Sequence, residues 1–410
     1  MILTYFKKHK SELSAKQKLI RYIYLEIKSL QKTILIPTLI LLVFGMVMSF
    51  SLSYSVSRKL ETGDFYFFYK HCFFVVIGIC CLVYFATIDF NKLLSISTLG
   101  YVLSILLLFS VLFLTSSVKG ANRWIDIGLL SLQPSETFKP FFIVMHSVIM
   151  QKFWQKNDKN YLFLSLIMFV FAIFLFALEP DYGMIIVYTF IIGVQILFSQ
   201  IKIYFVLLCG GAFMALLIVL SFTFEHVRFR ILTFLGMGEG DNYQLNIAIR
   251  AIKEGGIFGK GIGMSNLKNL LPDAHNDFIF AVIGEELGLV GYLFLICCYF
   301  SIFISILIFI NQQNKYFSQH CFTKSEMVVV EKYYLKRIIA LSILAVFFVA
   351  FTINSFVSLG LFPTKGMTLP FVSYGGSSIL SHCIMMGILL NITRYHCGYF
   401  RRITICSKFV

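Results

Sequence analysis

The fold class this sequence predicts is an all-α polytopic membrane protein of about ten transmembrane helices, with both termini cytoplasmic and one large extracytoplasmic loop. Three observations predict it. Hydrophobic residues make up 58% of the 410-residue chain and charged residues 13%, a balance outside the range of soluble domains. Ten apolar stretches approach or exceed the length needed to cross about 30 Å of hydrocarbon. Basic residues are also sorted by loop, as membrane orientation requires.

The elements follow in chain order. Residues 1–32 hold eight Lys or Arg and read as a basic cytoplasmic segment. A membrane domain over 33–394 then carries spans at 33–54, 71–89, 97–117, 138–153, 161–178, 183–200, 203–223, 277–310, 338–359 and 376–393, some of them marginal in length. The eighth is overlong and must tilt, kink or run beyond the bilayer. No cleavable signal peptide is visible, so the first full-length span serves as its own insertion signal. The large loop covers about 224–276, and 395–410 form a cytoplasmic tail. With ten spans, both termini and the even-numbered loops share a side. That side collects 22 of the 35 basic residues against six acids, while the other holds 13 basic residues and 14 acids. The positive-inside rule makes the first side cytoplasmic. The net charge of +15 is accordingly a topology signal and an attraction for anionic lipid, with no nucleic-acid motif competing for it. The ten cysteines lack metal-ligand spacing, and Cys80-Cys81 and Cys297-Cys298 lie inside spans as small apolar fillers.

Polar signatures gather in the outward loops. Loop three-four reads Gly120-Ala-Asn-Arg123-Trp124-Ile-Asp126-Ile-Gly128, then Gln133-Pro134-Ser135-Glu136 and Lys139. Arg123 and Lys139 could hold an anionic head group, since Arg suits bidentate phosphate contacts. Trp124 suits an interface anchor, and Pro134 with Glu136 can open a helix. The competing reading is a capped turn with Arg123 snorkelling to lipid phosphates. Loop five-six, Glu179-Pro180-Asp181-Tyr182-Gly183, puts two acids between spans; they could pair with Arg123 or Lys139, or belong to a cation site. In the long loop, 243–254 has helical spacing, and Gly255-Gly256-Ile-Phe-Gly259-Lys260-Gly261-Ile-Gly263 follows. Such a backbone can offer amides to a phosphate, or simply be a surface loop; it lacks the nucleotide P-loop pattern. The last outward loop, Gly360 to Ser378, contains Pro363, Lys365, Gly366, Pro370, Gly375, Gly376 and Ser377. It cannot form one helix, and irregular backbone at membrane depth belongs where it lines a cavity.

The eighth span opens with three acids: His275-Asn276-Asp277, then Glu285 and Glu286. A charge at a helix centre costs about 2.5–3.5 kcal/mol on insertion scales, so a chain that keeps such charges uses them. If 277–286 is one helix, Asp277 and Glu285 are about 12 Å apart along the axis, which precludes a close acid/base couple. Asp277, beside His275, begins the span at the outer interface, as a functional carboxylate or as a helix-capping aspartate. Glu285 and Glu286 sit deeper, where one would pair with a buried cation or cap a polar helix contact.

Taken in order, GANRWIDIG…QPSETFKP, EPDYG, AIRAIKEGGIFGKGIG, LPDAHNDFIFAVIGEELGLVG and GLFPTKGMTLPFVSYGGSS resemble the signature blocks of the bacterial SEDS family, which groups FtsW, RodA and SpoVE. The LPDAHNDFIFAVIGEELG and FPTKGMTLP blocks look most like FtsW. Departures are small: Glu179 stands where Gln is more usual, and Asn276 where Thr is. The resemblance implies a processive, inverting peptidoglycan glycosyltransferase acting on lipid II, an undecaprenyl-diphosphate disaccharide-pentapeptide, at the outer face of the inner membrane. It implies Asp277 as catalytic base, with Arg123, Lys139, Lys260, Lys365, His275 and Ser377 toward the substrate and Glu136, Asp181, Glu285 and Glu286 in support. It also implies a divalent cation, Mg or Mn, and partners in a class B penicillin-binding protein and other septal proteins of cell division. A lipid II flippase or a non-catalytic scaffold for the transpeptidase are the competing functions.

Overall fold

The computed structural model describes residues 30–59, 65–114, 123–127, 130–199, 243–271, 274–319, 327–363 and 366–394, with single positions 63, 211, 228 and 232. The span expected at 203–223 (apart from position 211), most of the 1–32 segment, the 395–410 tail and Lys365 lie outside the described residues.

The described helices are α1 (Lys32–Lys59), α2 (Tyr66–Thr87), α3 (Phe90–Leu114), α4 (Pro134–Lys156), α5 (Lys159–Leu178), α6 (Tyr182–Leu197), α7 (Tyr243–Gly255), α8 (Ile279–Gln319), α9 (Met327–Ser358) and α10 (Gly376–Thr393). Strands β1 (Ile125–Ile127) and β2 (Leu130–Leu132) form a small antiparallel hairpin, Ile125 opposite Leu132. Seven helices (α1, α2, α3, α5, α8, α9 and α10) are long and apolar enough to cross a membrane. The protein is thus an all-α polytopic membrane protein. Two expected spans differ in character. Helix α6 is apolar but only 16 residues long, and α4 carries Glu136, Lys139, Lys152 and Lys156 along its length. The expected loop at 224–276 also contains α7, whose apolar residues Leu245, Ile247, Ala248 and Ala251 are buried.

Helices α9 and α10 form the centre: 72% and 83% of their apolar windows are buried, against 22% for α3 and α5. Helix α10 packs most extensively on α2. A Cβ on Gly78 would lie 2.9 Å from Cys383 Sγ, and one on Gly387 would lie 2.6 Å from Leu82 O, so glycines set the close approach of this pair. Asn391 Nδ2 then donates to Ile88 O at 2.7 Å, occupying a carbonyl just past the end of α2. Deeper, His146, Ser147, Gln195 and Ser342 tie α4, α6 and α9 together through hydrogen bonds. Polar side chains find partners there because no water can serve them.

The overlong eighth span is a broken helix. Gly288 of α8 has φ 63° and ψ −154°, which ends one helical segment and starts another. Helix α8 also begins at Ile279, so Asp277 stands before it in a turn spanning 274–278. The continuous-helix rise from Asp277 to Glu285 therefore does not apply.

Candidate active site

Asp277 is half-buried, in a turn that the irregular segment after α9 holds in place. Tyr374 N–H donates to His275 O at 3.0 Å and Ser373 Oγ donates to Asn276 O at 2.7 Å. Asn354 of α9 donates through Nδ2 to both Asp277 O (3.1 Å) and Met367 O (2.6 Å), pinning turn and segment to one side chain. A Cβ on Gly366 would lie 2.5 Å from Asp277 Oδ2, so the segment passes directly over this carboxylate. Phe67, His275 and Tyr374 meet ring to ring beside it, with centroids 5.4–5.9 Å apart, and with Ser49, Ser53 and Ile279 they line a small cavity. The carbonyl of Phe278 accepts the first helical bond, from Val282 N at 3.2 Å, which puts Asp277 one position ahead of the helix cap.

The two glutamates are in ion pairs, as expected for at least one. Glu286 is fully buried, accepts from Ser51 Oγ at 2.6 Å and pairs with Lys268 Nζ at 3.1 Å. Glu285, also fully buried, pairs with Lys260 Nζ at 2.9 Å and accepts from Ser265 Oγ and the Asn266 amide. The expectation for the glycine-rich loop needs correcting. Its amides at Lys260 and Gly261 donate to Glu285 O and Glu286 O, both at 2.9 Å, while Gly256 O and Ile257 O accept from Leu289 N and Val290 N at 3.0 and 3.2 Å. The loop thus satisfies both helix ends exposed by the break in α8, which would otherwise be orphaned. These amides are not free for a phosphate. Lys260 itself bridges Glu254 (2.5 Å) and Glu285, which holds its charge in place and raises its pKa, chiefly through Glu254.

A second cluster forms where α4, the hairpin and the turn between α5 and α6 meet. Arg123 Nε donates to Glu179 O at 3.1 Å, and Nη2 donates to Pro180 O. Lys139 pairs with Glu136 at 2.7 Å, both side chains buried. Of the two roles open to Glu179 and Asp181, pairing with Arg123 or Lys139 is not what the described residues adopt. Arg123 takes the carbonyls at the C-terminal end of α5, which carry partial negative charge, and Lys139 takes the acid one turn earlier. Asp181 instead accepts from Gln133 Nε2 (3.1 Å) and Ser135 Oγ (3.4 Å). The Gln133 amide donates to Ser377 Oγ at 2.9 Å. Glu179 is fully buried, with no hydrogen bond to either carboxyl oxygen among the described residues. Burial first, then the neighbouring Asp181, pushes its carboxyl up to about 8 against the opposing pull of Arg123. Pro134 opens α4 as its first residue with Glu136 in the first turn, as read from sequence, and Trp124 is exposed.

One segment joins the two clusters. Residues 366–378 touch the Asp277 turn through Gly366, Ser373 and Tyr374, and the Arg123 cluster through Ser377. Sequence reading missed Asn354, Lys268 and His71. A lone amide in the apolar run of α9 was the available signal for Asn354. His71 of α2 is buried against Tyr374 at 6.0 Å, with no hydrogen bond to either ring nitrogen among the described residues.

A half-buried carboxylate in a shaped turn, linked through residues 366–378 to the cluster of Arg123 and Lys139, is the kind of site that family comparison can place. A family profile described as "Cell cycle protein", grouping FtsW, RodA and SpoVE, matches residues 31–397. This chain belongs to that family. It is 30% identical over 376 residues, 90% of this chain and 98% of the relative, to the Borreliella burgdorferi protein named "Probable peptidoglycan glycosyltransferase FtsW". The Caulobacter vibrioides protein of the same name is 29% identical over 88% of each chain. A solved structure titled "Structural coordination of polymerization and crosslinking by a peptidoglycan synthase complex" matches with a TM-score of 0.65 at 20% identity. The match covers 90% of this chain and 99% of that one, which shows the shared fold.

Proposed function

We infer that this protein is a peptidoglycan glycosyltransferase that polymerises lipid II at the outer face of the bacterial inner membrane, in septal synthesis during cell division. The observation that carries this reading is the joining of Asp277 and the Arg123 cluster by the irregular segment after α9 and the first turn of α10, in a chain whose relatives bear the FtsW name. Glycosyl transfer with inversion needs a base at the acceptor hydroxyl and charge stabilisation for a diphosphate leaving group. In this reading the Asp277 carboxylate takes the proton of the acceptor sugar hydroxyl as its oxygen bonds the donor's anomeric carbon. The bond from that carbon to the diphosphate breaks, and the leaving group carries away the electron pair. Arg123, with His275 at the margin, faces the substrate; Lys139 and Ser377, both buried, support the cluster behind it, and Lys365 remains a candidate by sequence alone. Glu136, Asp181, Glu285 and Glu286 hold the cations and loops in position. Lys260 serves the loop rather than the substrate.

The expected divalent cation has no evident cage here. Among the described residues no three His, Cys, Asp or Glu side chains converge to hold a metal ion, and no step above runs through one. The charge bias of the loops supports cytoplasmic termini. By likeness to its relatives, the protein works with a class B penicillin-binding protein and other division proteins.

The test is to supply the purified chain and its cognate transpeptidase, blocked by a β-lactam, with labelled lipid II. Uncrosslinked glycan strands that a muramidase digests are the expected product. Lipid II that only changes leaflet would support a flippase, and absence of glycan together with a gain in transpeptidase activity when the β-lactam is omitted would support a scaffold.

A further inference from the structure

The mechanism above leaves Glu179 without a role, although it lies at the end of α5 beside Arg123. Its carboxyl is wholly buried and lacks a hydrogen-bond partner among the described residues. An ionised carboxylate so placed would carry a large desolvation cost, whereas a neutral acid carries much less. The surrounding charges point the same way. Arg123, just before the hairpin, and Asp181, in the turn, act on Glu179 directly, and Tyr188 of α6 also senses it; Glu136 and Tyr101 act on that same tyrosine, Tyr182 lies by Arg123, and Lys139 pairs with Glu136. Asp181 accepts two hydrogen bonds and suits the ionised state. With Glu179 neutral, Arg123 and Lys139 balance Glu136 and Asp181. With Glu179 ionised, the cluster carries one negative charge in excess, and Arg123 gains a carboxylate to neutralise it.

We propose that Glu179 is a positioning residue acting through Arg123: buried and neutral, it leaves the guanidinium available to attract the substrate diphosphate, and a charge on it weakens that attraction. This rests on the reading of Arg123 as a diphosphate contact. Its consequence is a binding affinity that falls with pH for a reason internal to the site. Glu179→Gln, nearly isosteric and permanently neutral, removes the titration while keeping the shape.

The experiment measures binding of labelled undecaprenyl diphosphate to the full-length chain in nanodiscs, from pH 6.5 to 9, for wild type, Glu179→Gln and Arg123→Ala. Wild type should lose affinity roughly three- to tenfold as pH rises through about 8, and Glu179→Gln should hold its neutral-pH affinity throughout. In turnover assays the same loss should appear in KM with kcat unchanged. An alkaline loss equal in Glu179→Gln and wild type overturns the proposal, as does weak binding by Glu179→Gln at neutral pH. Equal binding by Arg123→Ala and wild type at neutral pH would instead overturn the Arg123 reading beneath it.

Discussion

At the scale of single residues, the site is a set of charges placed by backbone. Asp277 owes its position to Asn354 and Gly366 rather than to a helix, and Arg123 is held by two carbonyls rather than by an acid. Glu179 adds a stability signature with a definite sign. Its ordinary value of 4.5 rises to about 8 on folding, so the folded chain keeps a proton that the unfolded chain releases. Below about 4.5 both states hold the proton and there is no penalty. Between about 4.5 and 8 stability falls as pH rises, and above about 8 the penalty is constant. Thermal unfolding in detergent should therefore show Glu179→Gln gaining on wild type across that window, and parallel curves would contradict the buried neutral acid. Lys268 offers a second test. Removing it with Lys268→Met leaves Glu286 buried and uncompensated, a loss of about 3–5 kcal/mol. Lys260→Met should cost less, because that ammonium is partly exposed. Equal unfolding midpoints for the two variants would count against this ranking.

Among the elements, α8 and the loop at 256–261 form one unit. The sequence showed an overlong span and a glycine-rich loop, but not that one completes the other. A contact made by backbone amides and carbonyls leaves no side-chain pattern to read. Gly259 is where this matters most: its φ is 75°, and a Cβ there would lie 2.2 Å from Glu286 O. Gly259→Ala should expel the loop from the break, at a cost beyond the roughly 1–3 kcal/mol of the backbone strain alone. Hydrogen exchange at the Lys260 and Gly261 amides should accelerate strongly in that variant, and unchanged protection would refute the loop's role at the break. The segment after α9 was more legible, because its prolines and glycines forbid a helix. Its seat on α1 was not. There a Cβ on Gly45 would lie 2.4 Å from Phe371 O, another contact of backbone with backbone.

For the whole molecule, hydropathy was a sufficient guide to the class of fold and most of its helices, since spanning a membrane is a matter of length and apolar composition. It was a poorer guide where helices are shielded by their neighbours. Helix α4 keeps Glu136 and Lys139 at depth because they pair inside the bundle, and the 16-residue α6 packs on α9 and α4. Of the site, the residue types and their loops could be read, but the partners could not, because tertiary placement decides which cation meets which acid. Orientation is tested by labelling in a cysteine-free background: Ser14→Cys should react only from the cytoplasmic side and the exposed Asn266→Cys only from outside, and the reverse pattern would invert the topology.

The most direct test of the central claim is lipid II polymerisation by Asp277→Asn, with lipid II binding measured on the same preparation. A base lost from the acceptor hydroxyl should lower the rate by about 10²–10⁴-fold while binding is retained. Glycan formation at the wild-type rate by a variant that binds normally would contradict the assignment of Asp277 as the catalytic base.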